Sequence, residues 1–248
     1  MTTDDAAFGA ATPKRPKTLS PADPAARFTG ANGDRAFFAY STNYLVDTDH
    51  GIIVEVEETT ANRAREVEST KTMVERVEQR FGILPKRLIG DTAYGTAPML
   101  NWIVETKHIE PHTPVWEKAK RQDGCFTRSD FTWEAEADRY ICPAGKSLLR
   151  NRRRFSKPRS GLPKDQIFKY RASTRDCGGC EYKPRCCPKT PSRKVSRSVY
   201  ESSRDVARAI AETDAYHHSC NDRKKVEMLF AHLKRILKLD RLRLRGMN

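Results

Sequence analysis

Polar and apolar residues change rhythm several times along the chain. Residues 1–36 are poor in apolar side chains and rich in Pro, Ala, Gly and Asp, as in TPKRPKTLSPADPAARF, which predicts an extended linker. Phe37–Val46 (FFAYSTNYLV) mixes aromatic and β-branched residues with polar ones and predicts a strand. Residues 47–51 read as a turn and Ile52–Val56 as the returning strand of a hairpin. Val67, Val74, Val77 and Phe81 then fall on one helical face behind the N-cap candidates Thr59, Thr60 and Asn62, and Gly82 with Pro85 ends that helix. Arg87–Gly90 reads as a short strand running into Asp91. Ala97–Lys107 reads as a helix with Leu100, Ile103 and Val104 inward, and Ile109–Val115 as a strand that Pro111 and Pro114 confine to an edge.

Residues 116–200 lose this order, being basic, punctuated by Pro and Gly and cysteine-bearing, with FTWEAEADRYICPAG predicting a small hairpin. From Ser202 the helical period returns, with Val206, Ala209, Ile210, Val226, Leu229, Phe230, Leu233, Ile236 and Leu237 marking one long or two consecutive helices. The organisation expected is a linker over 1–36, an α/β core over 37–115, an insertion over 116–200 and a helical completion of the core over 201–248.

Charge sharpens this picture. The net charge is +14, and between Lys146 and Tyr200 17 Lys and Arg residues face three acids, so the rest of the chain is neutral. A single basic segment in a balanced protein points to a phosphate-backbone surface, with a solvated basic loop as the plainer reading. No apolar run approaches the roughly 20 residues of a membrane span, and the N-terminus lacks the apolar stretch of a secretory signal. A cytoplasmic protein is expected. Seven cysteines in that compartment argue against a disulfide framework.

Two carboxylates have positions with mechanistic content. Asp91 ends a short strand, at the edge where α/β sheets place their chemistry, and Glu227 lies on a helix four residues after Arg223. Such carboxylates suit Mg²⁺, whose preference is for hard oxygen ligands. By spacing alone, a lone Asp after a strand and a lone Glu on a helix are more often structural or solvated.

The surrounding blocks narrow the reading. LIGDTAYGTAPML resembles the second-acid motif of the DDE-type transposases of bacterial insertion sequences. NDRKKVEMLFAHLKRILKLDRLRLRG resembles their third-acid signature, carried here by Arg223, Glu227 and Lys234, and FFAYSTNYLVDTDHGIIVEVEETTANR resembles the hairpin before the second acid. The signature's Tyr, three residues before the Arg, is Cys220 here, with Tyr216 one turn earlier. The resemblance implies a ribonuclease-H-like α/β fold, a mixed sheet flanked by helices. It also implies metal-dependent cleavage and strand transfer on DNA with Mg²⁺ or Mn²⁺ as cofactor, and as partners the transposon ends, the target DNA and a further copy of the chain. Asp91 and Glu227 would hold the metal, with Arg223 and Lys234 in support. The family's first acid sits on a first strand, and residues 1–36 offer none. Asp47 and Asp49 fall in the hairpin turn, where they would face the wrong way. The first strand is therefore expected upstream of Met1 and a closing helical segment beyond Asn248, the pattern of a truncated copy that either cleaves DNA or only binds it.

Within the insertion, Arg152, Arg153, Arg154, Arg171, Arg175, Lys183, Arg185 and Arg193 are expected to meet DNA phosphates. Cys177 and Cys180, with Cys186 or Cys187 and the distant Cys142, have the ligand types of a tetrahedral thiolate Zn²⁺ site, the alternative being reduced thiols that pack a loop-rich module. The histidines form no HExxH motif, and no Gly-rich phosphate loop indicates a nucleotide cofactor. Trp102, Trp116 and Trp133 read as packing anchors.

Overall fold

A computed structural model describes residues 18–30, 36–116, 124–150, 162–163 and 166–237. The chain divides into two compact units, residues 1–116 with 202–248, and residues 117–201. In chain order the first unit begins with β1 (Arg27–Thr29), β2 (Phe37–Asp47), β3 (Ile52–Thr60), α1 (Arg63–Phe81), β4 (Arg87–Ile89), α2 (Ala97–Asn101) and β5 (Glu110–His112). The second unit contributes β6 (Thr132–Glu134), β7 (Arg139–Ile141), β8 (Ser147–Leu149), β9 (Ile167–Arg171), α3 (Thr174–Gly178), α4 (Lys183–Cys186) and β10 (Lys194–Ser198). Two helices, α5 (Glu201–Ala211) and α6 (Asp214–Arg235), close the described chain.

β2 and β3 form the expected antiparallel hairpin, with Tyr44 opposite Val56 and a bulge at Leu45/Val46. The turn closes through Gly51, whose φ of 69° is left-handed and costs a residue without Cβ little. Side-chain alternation separates two faces. Ser41, Glu55 and Glu57 meet α1, where Ser41 Oγ donates to Glu66 (2.6 Å), Arg76 pairs with Glu55 and Glu57, and Arg80 pairs with Glu55. On the other face Val54 and Val56 stay largely exposed, and Tyr44 packs its ring 4.9 Å from that of Phe230 on α6.

One expectation is corrected. Residues 1–36 are not all linker, because β1 pairs antiparallel with the start of β2, Thr29 opposite Phe37. A three-residue strand is too short to alternate, and the Tyr40 hydroxyl that anchors the preceding loop on Asp23 lies outside it (2.8 Å).

α1 starts at Asn62, whose side chain accepts from the Ala64 N–H, and stops at Gly82 in the left-handed region. Its buried stripe is Ser69, Thr70, Met73, Val74 and Val77. Val74 joins Leu88, Met99, Ile103 and Ile109 in the core of this unit. Phe81, in phase with the stripe, is 60% exposed. Phase is all that periodicity reports, and burial also needs a partner surface. After α2 the helix widens into a π turn over Trp102–Thr106, with the Lys107 N–H donating to the Trp102 carbonyl (3.0 Å). β5 then pairs parallel with β4, Leu88 opposite Pro111.

α6 crosses this pair with a polar inner face. Its one fully buried residue is Ser219, whose hydroxyl lies 2.7 Å from Nδ1 of the buried His112. Burial lowers the His112 pKa below 6.5, holding the ring neutral. The unfolded chain then takes up a proton first on acidification, so stability is expected to fall as pH drops below about 6.5. Melting followed by circular dichroism between neutral and mildly acidic pH measures this, and the slope should flatten in His112→Asn, which keeps an acceptor near Nδ1 but does not titrate.

The second unit is a five-stranded antiparallel sheet of order β10-β9-β8-β7-β6, with the expected hairpin as β6 and β7. Its own core gathers Phe131, Tyr140, Leu148, Tyr170, Val195, Cys177 and Cys187. Trp133 packs against Tyr140 and Tyr170, ring centroids 4.8 and 5.3 Å away, which makes it an anchor as its setting in the sequence suggested. Among the described residues no helix is long and apolar enough to cross a membrane.

Candidate active site

Asp91 is placed by the chain on either side of it. Leu88 buries β4, and Gly90 follows with no room for a side chain, since a Cβ there would come within 2.8 Å of the Tyr94 ring. Asp91 then caps a 3₁₀ turn over Thr92–Gly95, its Oδ1 accepting from the Ala93 N–H at 2.8 Å. A carboxylate has about four lone-pair sites, so one such bond fixes its direction and leaves capacity for a cation. The residue is exposed. Tyr94 turns inward, and burial pushes its hydroxyl pKa up.

α6 supplies the second carboxylate. Arg223 Nη1 donates to the Gly90 carbonyl (3.2 Å), and its buried Nε lies 3.2 Å from Glu227 Oε1. The second contact has ion-pair distance without hydrogen-bond alignment. One guanidinium thus spans from the peptide just before Asp91 to the Glu227 carboxylate. The chain places these two acids 136 positions apart, and the fold brings them to the same strand end. Glu227 itself is mostly exposed, so its pair with Arg223 matters for position more than for stability.

The other sequence candidates fall elsewhere. Lys234 is exposed, two turns beyond Glu227 on the same helical face. Asp47 pairs with His50 at 2.6 Å, a contact that holds its carboxyl below the usual range. Asp49 lies 3.5 Å from Arg87, at the start of β4, whereas Asp91 follows its end. Among the described residues neither hairpin acid forms a metal-binding group with Asp91. Tyr216 packs on His112 with ring centroids 6.1 Å apart. Among the described residues no three His, Cys, Asp or Glu side chains form a metal-binding group.

In the second unit, Arg152, Arg153 and Arg154 lie outside the described residues. Arg171, Arg175 and Arg185 are exposed, and Lys183 is half-buried. Arg193 differs from them. Its guanidinium donates to the carbonyls of Cys186 and Phe126, both at 2.8 Å, and sits over the Phe131 ring. That commits it to the interior, and it drops out of the surface proposed for DNA. Arg193→Met is expected to cost about 2–3 kcal/mol, two charge-assisted bonds and the carbonyls left behind, with DNA affinity unchanged. Arg185→Ala should do the reverse. Urea unfolding and a DNA-binding titration on both variants check the pair.

Cys142, Cys177, Cys180, Cys186 and Cys187 line one cavity in this unit, beside Phe126. All seven cysteines are free thiols. Burial raises the Cys177 pKa and pushes that of Cys186 up to about 11, with nearby cysteines adding to both. Phe126, the Gly90 carbonyl and Arg193's internal role carried no signal in the sequence, because each acts through backbone or tertiary contact.

A carboxylate that follows a buried strand and a second from a helix crossing it are the ligand types found in metal-dependent enzymes that act on phosphodiesters. Within that class the chain matches the family described as transposase DDE domain over residues 10–248, and it belongs to that family. The α/β core, a three-stranded antiparallel sheet and a parallel strand pair with helices, is consistent with the ribonuclease-H-like fold expected of it. The family implies a polynucleotidyl transferase that binds DNA and uses divalent metal ions. No curated protein and no solved structure matches the chain.

Proposed function

We propose that Asp91 and Glu227 hold a divalent cation, Mg²⁺ or Mn²⁺, at which this transposase cleaves a phosphodiester and transfers the strand. The observation that carries the reading is Arg223, which bonds the Gly90 carbonyl and meets Glu227, so that both acids belong to one strand end. The donor set fits such an ion: both ligands are hard, exposed carboxylate oxygens, and Mg²⁺ is commonly held by one or two carboxylates together with substrate phosphates. When bound, the ion supplies charge stabilisation at the reacting phosphate. Arg223 orients Glu227, and Lys234 on the same helical face meets a phosphate farther along the DNA. The exposed Arg171, Arg175 and Arg185 and the half-buried Lys183 of the insertion, with Arg152, Arg153 and Arg154, contact the DNA backbone, so binding weakens steeply with salt.

The second reading, a protein that binds DNA without cutting it, is favoured by the lack of a third carboxylate beside these two among the described residues. Incubating the chain with supercoiled plasmid and Mn²⁺ separates the two. Nicking that needs metal and scales with protein supports the first, and salt-sensitive binding without nicking supports the second.

A further inference from the structure

The cysteine-lined cavity of the second unit is not used by the chemistry at Asp91. We propose that it is a structural Zn²⁺ site, with Cys142, Cys177, Cys180 and Cys186 as thiolate ligands and Cys187 as a packing residue behind them. Three segments distant in sequence converge there: the turn after β7, the α3 turn, and the end of α4. The cavity is about 20 Å³, enough for a water-sized or ion-sized guest.

The backbone around the sulfurs is built as a thiolate site is built. After Cys142 the chain reverses through Pro143, Ala144 and Gly145, closed by Gly145 N–H to the Cys142 carbonyl (2.8 Å) and Cys142 N–H to the Lys146 carbonyl (3.0 Å). Gly145 has φ 71°, the conformation this reversal requires. The turn aims the Lys146 N–H at Cys142 Sγ, 3.3 Å away. The backbone N–H of Arg193 is likewise bonded to Cys177. Cys177 and Cys180 have the two-residue spacing of a zinc knuckle. Arg193 fixes the remaining wall by holding the Cys186 and Phe126 carbonyls. Cys177 and Cys187 are both buried, 8% and 6% exposed, whereas Cys142, Cys180 and Cys186 are partly open.

The sulfurs line the cavity without already meeting at a point. Loading draws them to about 2.3 Å from the ion, which would cross-link β7, α3 and α4 in a sheet whose strands are mostly of three to five residues.

The test is metal analysis of the full chain purified under reducing conditions without added chelator. One Zn²⁺ per chain is expected, released by a mercurial that titrates thiols, and Co²⁺ exchanged into it should give sulfur-to-cobalt charge-transfer absorption with tetrahedral ligand-field bands. Cys180→Ser and Cys186→Ser should lose most of the metal, while Cys125→Ser and Cys220→Ser retain it. Absence of zinc from a folded, fully reduced wild-type chain that also gives no cobalt–thiolate spectrum overturns the site. Retention in Cys186→Ser with loss in Cys187→Ser overturns the assignment of the fourth ligand. The cobalt spectrum is read on the unmodified chain, so the test does not depend on a variant that fails to fold.

Discussion

Asp91→Asn is expected to reduce metal-dependent DNA cleavage by about 10³-fold or more while DNA affinity stays unchanged. Asparagine keeps the shape of the side chain and is itself a good N-cap, so its Oδ1 still accepts from the Ala93 N–H and the turn over Thr92–Gly95 survives. What it loses is the negative charge proposed to hold a divalent cation. Charge stabilisation by such an ion amounts to several kcal/mol, and each 1.36 kcal/mol is about tenfold in rate. Glu227→Gln should give a loss of similar size, because Gln removes the charge facing both the cation and Arg223. Nicking of supercoiled plasmid in Mn²⁺, with binding measured on the same DNA, reads both quantities. If Asp91→Asn cleaves as well as the unmodified protein, the carboxylate is only a helix cap and the cation is held elsewhere.

Gly95→Ala is expected to be the most damaging small substitution in the first unit. A Cβ at Gly95 would lie 1.9 Å from the Pro114 carbonyl oxygen and 2.7 Å from the Trp116 nitrogen. Both are backbone atoms, so no side chain can swing aside, and the Trp116 N–H bond to the Gly95 carbonyl (2.9 Å) would have to break with the shift. Overpacking of this kind costs about 3 kcal/mol or more, and at roughly 2–4 °C per kcal/mol in a chain of this size the melting temperature should fall by about 6–12 °C. Gly90→Ala is the graded comparison. Its nearest neighbours are side-chain atoms, the Tyr94 ring at 2.8 Å and the Thr113 methyl at 3.1 Å, which yield more readily than backbone does, so its loss should be smaller. Equal melting temperatures for wild type and Gly95→Ala would mean that the approach of residues 95 and 114 is looser than described.

These two residues also show what the sequence disclosed and what it did not. Asp91 was legible because a strand, a Gly and an aromatic-Gly turn flank it, all local features. The hairpin and the caps of α1, Asn62 and Gly82, were legible for the same reason. The inner face of α6 was not, because the residues that dock it are Ser219, Arg223 and Tyr216, whereas Met228, Leu229 and Ile236, which apolar periodicity would turn inward, are exposed. A helix that docks through hydrogen bonds, isolated ring contacts and the Arg87–Asp222 ion pair leaves no continuous apolar stripe to count. β1 escaped because three residues carry no period, and Arg193 because nothing local distinguishes an arginine bonded to carbonyls from one facing solvent.

Arg204 Nη2 donates to the Trp116 carbonyl at 2.8 Å, within the first unit, so the chain leaving for the second unit and the chain returning from it are pinned together. This bears on how the chain folds in time. Asp91 and Glu227 cannot be brought together until the intervening segment closes as a loop, and closing a flexible loop of that length carries an entropy cost that rises with the logarithm of its size. The inserted residues have a hydrophobic core of their own. If they condense first, as compact units in larger proteins generally do, the long floppy loop becomes a short tether between two neighbouring points. The insertion would then serve assembly: its early collapse would shorten the loop that has to close before α6 docks, a modest saving because the cost grows only with the logarithm of the length.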